Sequence, residues 1–292
     1  MIRSIISAAR SLYRPTPAPV SRHMSFGDLQ EVRAIGNLRG GLVTNKAGRG
    51  VFRARHRGRD VKLYEAHSAS HAEFIAAMTA IMPDTFPRVL ELREAWVMAE
   101  WVEGSPLDPD RQDLQAGLLK KIQATPIAEL PLPDFCYWSD YLIPRFQRAA
   151  ALAGRRDQAQ RILDELETDP QPAGVMHPDL SPANLLQTDD GRLVSLDNEL
   201  LSMGTRPLLD LCNALRPLTR PRREKMVRAW FEQDRPSASE MRTLGMAWTV
   251  RETGAAFITG NLAKCQSLMD AALRDPVACL PFPIDTADAV SA

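Results

Sequence analysis

The sequence predicts an α+β chain of two lobes, a small amino-terminal one of strands with one helix and a larger, mainly helical one. Three observations predict it. Runs of strand formers broken by glycine turns occupy residues 28 to 101 and enclose one helical stretch. Beyond residue 110 come stretches that read as helices, punctuated by Pro126, Pro131, Pro133, Pro170 and Pro172. The 292 residues are enough for two lobes with sizeable cores.

Taken in order, a first strand begins near Leu29. A glycine-rich stretch, GNLRGGLVTNKAGRG at residues 36 to 50, leads into the strand VFRARH, a turn at Arg57-Gly58, and the strand RDVKLYE. In SASHAEFIAAMTAIM, Phe74, Met78 and Ile81 recur at helical spacing, which predicts a helix. The run AWVMAEWVEGSPL, residues 95 to 107, reads as a buried strand running into a turn. Predicted helices of the second lobe are RQDLQAGLLKKIQA, the stretch around YWSDYLIPRFQRAAALA, RDQAQRILDELE, and about three after Arg206. Between them NLLQ, TDDG and RLVSL form strand, turn and strand of a short hairpin. The lobes are assigned to residues 28–101 and 102–292, after a basic arm at residues 1–27.

The chemistry lies in HPDLSPANLL, residues 177 to 186, and LVSLDNE, residues 193 to 199. His177, Asp179 and Asn184 have the spacing HxDxxxxN, and Asp197 ends the next strand. Phosphoryl transfer needs a carboxylate to orient a hydroxyl and oxygen ligands to hold Mg2+ on the phosphates. Asp179 fills the first role, Asn184 and Asp197 the second, and His177 organises the loop. The plain alternatives are a helix cap for Asp179 and a solvated turn for Asp197; the apolar LVSL run argues instead for delivery to a buried site. Glu199 is open among metal support, substrate contact and neither. Upstream, Lys62 supplies a charge for the phosphates and Glu73, on the helix, is a partner for it. Gly40 and Gly41 let backbone N–H groups approach phosphates, with Thr44 and Asn45 following. The strand exit at Glu100, Trp101 and Val102 offers backbone groups to an adenine.

On these motifs the chain resembles the aminoglycoside phosphotransferase and choline kinase group of small-molecule kinases. GGLVTN resembles the group's phosphate loop, VMAEWVEGSPL its hinge, and HPDLSPANLL with LDNE its catalytic core. The resemblance runs from about residue 30 to about residue 215. It implies a protein-kinase-like fold, ATP and Mg2+ as cofactors, and a small-molecule hydroxyl acceptor such as an amino sugar, amino alcohol or sugar. It also implies that Asp210, in RPLLDLCNAL, holds the catalytic loop. Two departures stand out: Pro178 replaces the usual glycine, and NELLSMGTRPLLD lacks an acidic residue often found before the second Asp. Alternatives from other classes are a nucleotide-binding scaffold, a kinase for a lipid-linked sugar, and a protein kinase, the last disfavoured by the lack of DFG and APE signatures.

Composition bounds the partners. Lys plus Arg and Asp plus Glu are 36 each, so no bulk charge draws nucleic acid. Cys136, Cys212, Cys265 and Cys279 are widely spaced, which predicts free thiols in a reducing, cytoplasmic setting. The arm carries Arg3, Arg10, Arg14 and Arg22 and no acidic residue, with Ile2, Ile5, Ile6 and Leu12 largely on one helical side. It reads as a loose tail or as weak, peripheral contact with an anionic membrane. For an amine-bearing acceptor the candidates are the aromatic wall of Phe135, Tyr137, Trp138 and Tyr141 and the acids Asp134, Asp140 and Glu252; helix packing is the competing reading for the aromatics.

Overall fold

The computed structural model describes residues 26–35, 51–167, 173–205, 207–232 and 236–282. The glycine-rich stretch and nearly all of the basic arm lie outside these residues, as do Pro170 and Pro172. The chain divides into two compact units. The first holds the described residues up to Ser105 with Glu129–Phe135 and Leu186–Glu199; the second holds Pro106–Ala128, Cys136–Leu185 and the residues from Leu200 onward. Both added segments of the first unit belong to the second lobe in the sequence reading.

In the first unit, strands β1 (Leu29–Ala34), β2 (Val51–His56), β3 (Arg59–Glu65), β4 (Val89–Arg93) and β5 (Trp96–Glu100) form an antiparallel sheet in the order β1-β2-β3-β5-β4. Arg57 and Gly58 both have positive φ, at 49° and 78°, which matches the twist of a two-residue hairpin and suits glycine at the second position. Strand alternation sets the two faces. Val61, Leu63, Trp96 and Met98 are buried together on one face with Ala54 and Phe26. Phe26 is 2% exposed, so the folded unit takes in a residue that the sequence reading left in the arm. Lys62 and Tyr64 point to the opposite face. There Lys62 stands between Arg53 and Ala99 in the register.

Helix α1 (Ala69–Ile81) packs on β4 and β5. Its cap is Ser68, whose side chain accepts from the His71 N–H, a contact worth about 1 kcal/mol. The buried stripe runs through Ala72, Phe74, Ile75 and Met78, and Ile81 is 44% exposed, so the stripe turns away from the last residue expected on it. Strand β4 was not foreseen. The segment before it carries mixed polar and apolar residues and gains its order by pairing with the buried β5.

A two-residue strand, β6 (Ser105–Pro106), spans the passage to the second unit. That unit contains α2 (Gln112–Gln123), α3 (Ile143–Leu152), α4 (Arg156–Glu167), strand β7 (Gly174–Met176), α5 (Pro207–Leu215), α6 (Arg220–Phe231), α7 (Ala238–Ile258) and α8 (Leu262–Arg274). Helix α7 is the hub, packed on α3, α4, α5 and α8. Ser237 and Glu240 close a reciprocal cap at its start. A Cβ on Gly245 would lie 2.1 Å from the Pro276 carbonyl oxygen, so only glycine permits that approach. The helix expected over Tyr137–Ala153 begins instead with a wide turn at Trp138–Leu142, where the Ile143 N–H reaches the Trp138 carbonyl. Pro144 follows with no N–H to give to a regular helical ladder, which accounts for the wider entry.

The expected hairpin forms from β8 (Leu185–Gln187) and β9 (Leu193–Ser195), closed by the Thr188 N–H on Arg192 and the Gly191 N–H on Thr188. Asn184 ends a single tight turn (Pro182–Asn184) before β8 rather than starting the strand. Strand β10 (Ser202–Gly204) pairs with β7. Among the described residues no helix is long and apolar enough to cross a membrane, and the four cysteines are free.

Candidate active site

Each unit carries part of the predicted residue set. In the first, β3 presents Lys62 and the turn after β9 presents Leu196 to Glu199. Lys62 Nζ donates to the Leu196 carbonyl at 2.6 Å and lies 3.5 Å from Glu199 Oε1. Both side chains are largely buried, at 12% and 7% exposure, so the pair sits where charge interactions are strong. These contacts bracket Asp197, which is half-buried. Burial and the charge of Asp197 both push the Tyr64 phenol above its ordinary range. The turn is anchored from behind by the Ser195 N–H on Thr85 and by Asn198 Nδ2 on the Ser195 carbonyl at 3.1 Å.

The pairing expected of Lys62 with Glu73 does not form. Glu73 is exposed on α1 and Glu199 takes the position beside the lysine. Glycines 40 and 41, Thr44 and Asn45 lie outside the described residues. At the strand exit, the Glu100 N–H donates to the Arg88 carbonyl and the Trp101 N–H to the Asp60 carbonyl. Glu100 Oε1 accepts the Arg88 N–H, and Arg53 lies 4.3 Å over the Trp101 ring. Val102 is the member of that trio whose N–H meets no acceptor among the described residues.

In the second unit the loop from His177 to Leu180 is held at four successive backbone groups. The His177 N–H donates to Asp210 Oδ2 at 2.7 Å, and the Pro178 carbonyl accepts from Asn213 Nδ2 at 2.6 Å. The Asp179 carbonyl accepts from Asn184 Nδ2 and from the Ser181 N–H, both at 2.9 Å. The Leu180 carbonyl accepts from Gln115 Nε2 at 2.8 Å. His177, Pro178 and Leu180 are buried, and Asp179 alone of the four is half-buried. The bonds at Pro178 use its carbonyl, so proline in place of glycine removes no donor that the loop employs. His177 is 1% exposed, a position that suits support rather than contact with an acceptor.

Asp210 is the buried anchor. Burial raises its carboxyl to about 8, opposed by the His177 N–H, the Gln123 amide and the Trp138 indole. Asn213, one turn further along α5, is in turn oriented by Arg251 Nε at 2.8 Å. The sequence reading missed Gln115, Asn213 and Arg251. The signals were present: Asn213 lies three residues after Asp210, hence on its face of α5, and Arg251 is a charge inside the apolar stretch of α7.

The metal candidates have the right donors. Asn184 commits its Nδ2 to Asp179, which leaves the amide oxygen as its ligand atom, and Asp197 supplies a carboxylate. An amide oxygen and a carboxylate are each hard oxygen donors of the kind magnesium takes. The amine candidates are otherwise engaged. Phe135 stacks on His67 at 4.7 Å, Trp138 is 2% exposed, and Tyr137 packs edge-on against Trp138 at 4.6 Å and parallel to Tyr141 at 6.2 Å. Asp134 bonds Ser68, Asp140 accepts the Cys136 N–H at 2.7 Å, and Glu252 pairs with Arg251 and Lys264.

The model of the phosphotransferase enzyme family matches residues 61–244, more than half of the chain. Among solved structures, a choline/ethanolamine kinase family protein from Mesorhizobium loti aligns with TM-score 0.56 at 19% identity, over 96% of this chain and 99% of that one. Choline kinase LicA from Streptococcus pneumoniae, solved also in complex with AMP, aligns with TM-score 0.55 at 13% identity over 93% and 98%. An aminoglycoside-3'-phosphotransferase of type VIII aligns with TM-score 0.50 at 20% identity over 87% and 98%. These likenesses show the protein-kinase-like α+β fold. A search of curated proteins gave no match.

Proposed function

We propose, for a chain that belongs to the phosphotransferase enzyme family, that it transfers the γ-phosphate of ATP to a hydroxyl of a small molecule. The observation that carries the reading is the Asp179 loop: one half-buried carboxylate on a segment otherwise buried and pinned at four consecutive residues. Such a group orients an incoming hydroxyl and takes its proton. The acceptor oxygen bonds to the γ-phosphorus, the bond from that phosphorus to the β–γ bridging oxygen breaks, and ADP leaves with the electron pair. Lys62 faces the phosphates, and the segment with Gly40, Gly41, Thr44 and Asn45 is proposed to cover them. Val102 offers its N–H to the base. Asn184 and Asp197 hold magnesium, which when bound offsets phosphate charge. The names of the structural neighbours, kinases of choline, ethanolamine and an aminoglycoside, support a small acceptor.

The test is ADP formation over a panel of sugars, amino sugars, amino alcohols, nucleosides and hydroxy acids, with and without magnesium. Acceptor- and magnesium-dependent ADP formation is expected. Nucleotide binding with no turnover on any member would make the chain a nucleotide-binding scaffold.

A further inference from the structure

Arg251 is 9% exposed in the middle of α7, and its guanidinium is only partly used. Nε donates to Asn213 and Nη1 to Glu252 at 2.6 Å, while Nη2 meets no acceptor among the described residues. A cationic N–H group that keeps access to solvent from a mostly buried side chain can take an oxygen of a ligand. Through Asn213 the same side chain reaches the Pro178 carbonyl, one residue from Asp179. Arg216 continues the last turn of α5, its N–H bonded to the Cys212 carbonyl, three residues after Asn213 and so on the same side. Its charge adds to burial in pressing the Arg251 guanidinium below its ordinary value. Among the described residues the carboxylate paired with Arg251 is Glu252, and Lys264 shares it at 3.1 Å. Arg251 and Lys264 thus share a single acid while Arg216 adds its charge beside Arg251, and an amine would bring a further cation.

Resting on the phosphotransferase reading, we infer that Arg251 and Arg216 bind an anionic group of the acceptor, so that the substrate is a hydroxyl compound bearing a carboxylate or a phosphate. The planar guanidinium fork matches both groups. The acceptor anion docks on the arginines, its hydroxyl reaches Asp179, and Arg251 also steadies the loop through Asn213.

The experiment pairs acceptors with and without an anionic group: hexoses against their uronic acids and hexose phosphates, and amino alcohols against the matching hydroxy amino acids. Wild type and Arg216→Ala are assayed for kcat/KM, with nucleotide-induced thermal shift as a separate readout. The acidic member of at least one pair is expected to lead by tenfold or more. Arg216→Ala should remove about tenfold of that lead and leave the nucleotide shift unchanged. The uronic acid and phosphate arms tell which anion is read. Turnover of neutral or amine acceptors at equal or better efficiency overturns the inference and leaves the kinase reading intact. No turnover together with no nucleotide shift overturns both.

Discussion

Around Asp179 four backbone groups are gripped by side chains from α2, α5 and the turn before β8, and Asn213 is itself held by Arg251. Around Lys62 the design differs: the lysine on β3 reaches the Leu196 carbonyl and the Glu199 carboxylate on the turn after β9. The first region fixes a geometry by neutral and charge-assisted hydrogen bonds to backbone. The second gathers buried charge on the lysine and the carboxylate. Under the proposed function the first region orients the hydroxyl and the second handles the nucleotide's charge.

Mutations separate the two. A large effect is expected of Asp197→Ala, which removes a proposed metal ligand and with it several kcal/mol of charge stabilisation, about 10³-fold in turnover. The magnesium-dependent part of the ATP thermal shift should vanish while the apo melting temperature holds; an unchanged shift means another ligand carries the metal. Asn213→Ala should cut kcat about tenfold by freeing the Pro178 carbonyl, with the ATP shift intact, since that bond serves the loop alone. Equal loss of nucleotide binding would erase the contrast. Glu199→Gln should change the ATP KM by only a few-fold, about 1 kcal/mol, because phosphates replace Glu199 as the lysine's partner; a kcat loss as large as that of Asp197→Ala would give Glu199 a metal role.

The last effect is on stability. Asp210 has its folded-state pKa raised to about 8 from 3.8. The folded protein therefore keeps a proton that the unfolded chain loses above about pH 4. The stabilisation is full below that value and drains as pH rises toward 8, at roughly 1.4 kcal/mol per pH unit at most. Asp210→Asn should flatten this decline, read as melting temperature at pH 5 and pH 8. Parallel curves for wild type and variant would show that the donors around Asp210 keep it ionised.

Local chemistry was legible and long-range choice was not. Arg57-Gly58 announced its hairpin because positive φ has few suitable residues, and α1 was announced by the helical spacing of Phe74 and Met78. The loop from His177 to Asn184 was legible through spacing alone. The partner of Lys62 was not: Glu73 stood on a helix at a plausible distance in sequence, and only packing turns it to solvent and places Glu199 under the lysine. The loop's holders were equally hidden. Gln115 and Asn213 look like surface residues of amphipathic helices until α2 and α5 are seen to pack on the loop, and the burial of Arg251 to 9% exposure comes from the packing of α7. Strand β4 escaped because its order is borrowed from β5.

The most direct measurement compares Asp179→Asn with wild type on one active acceptor, by single-turnover phosphoryl transfer beside ATP binding. The isosteric amide keeps the loop's backbone bonds and loses the proton acceptor. ATP affinity should stay within a few-fold while the transfer step falls by about 10²–10⁴, with more lost if the hydroxyl is no longer oriented. Transfer within a few-fold of wild type would contradict the assignment of Asp179 as the group that orients and deprotonates the acceptor.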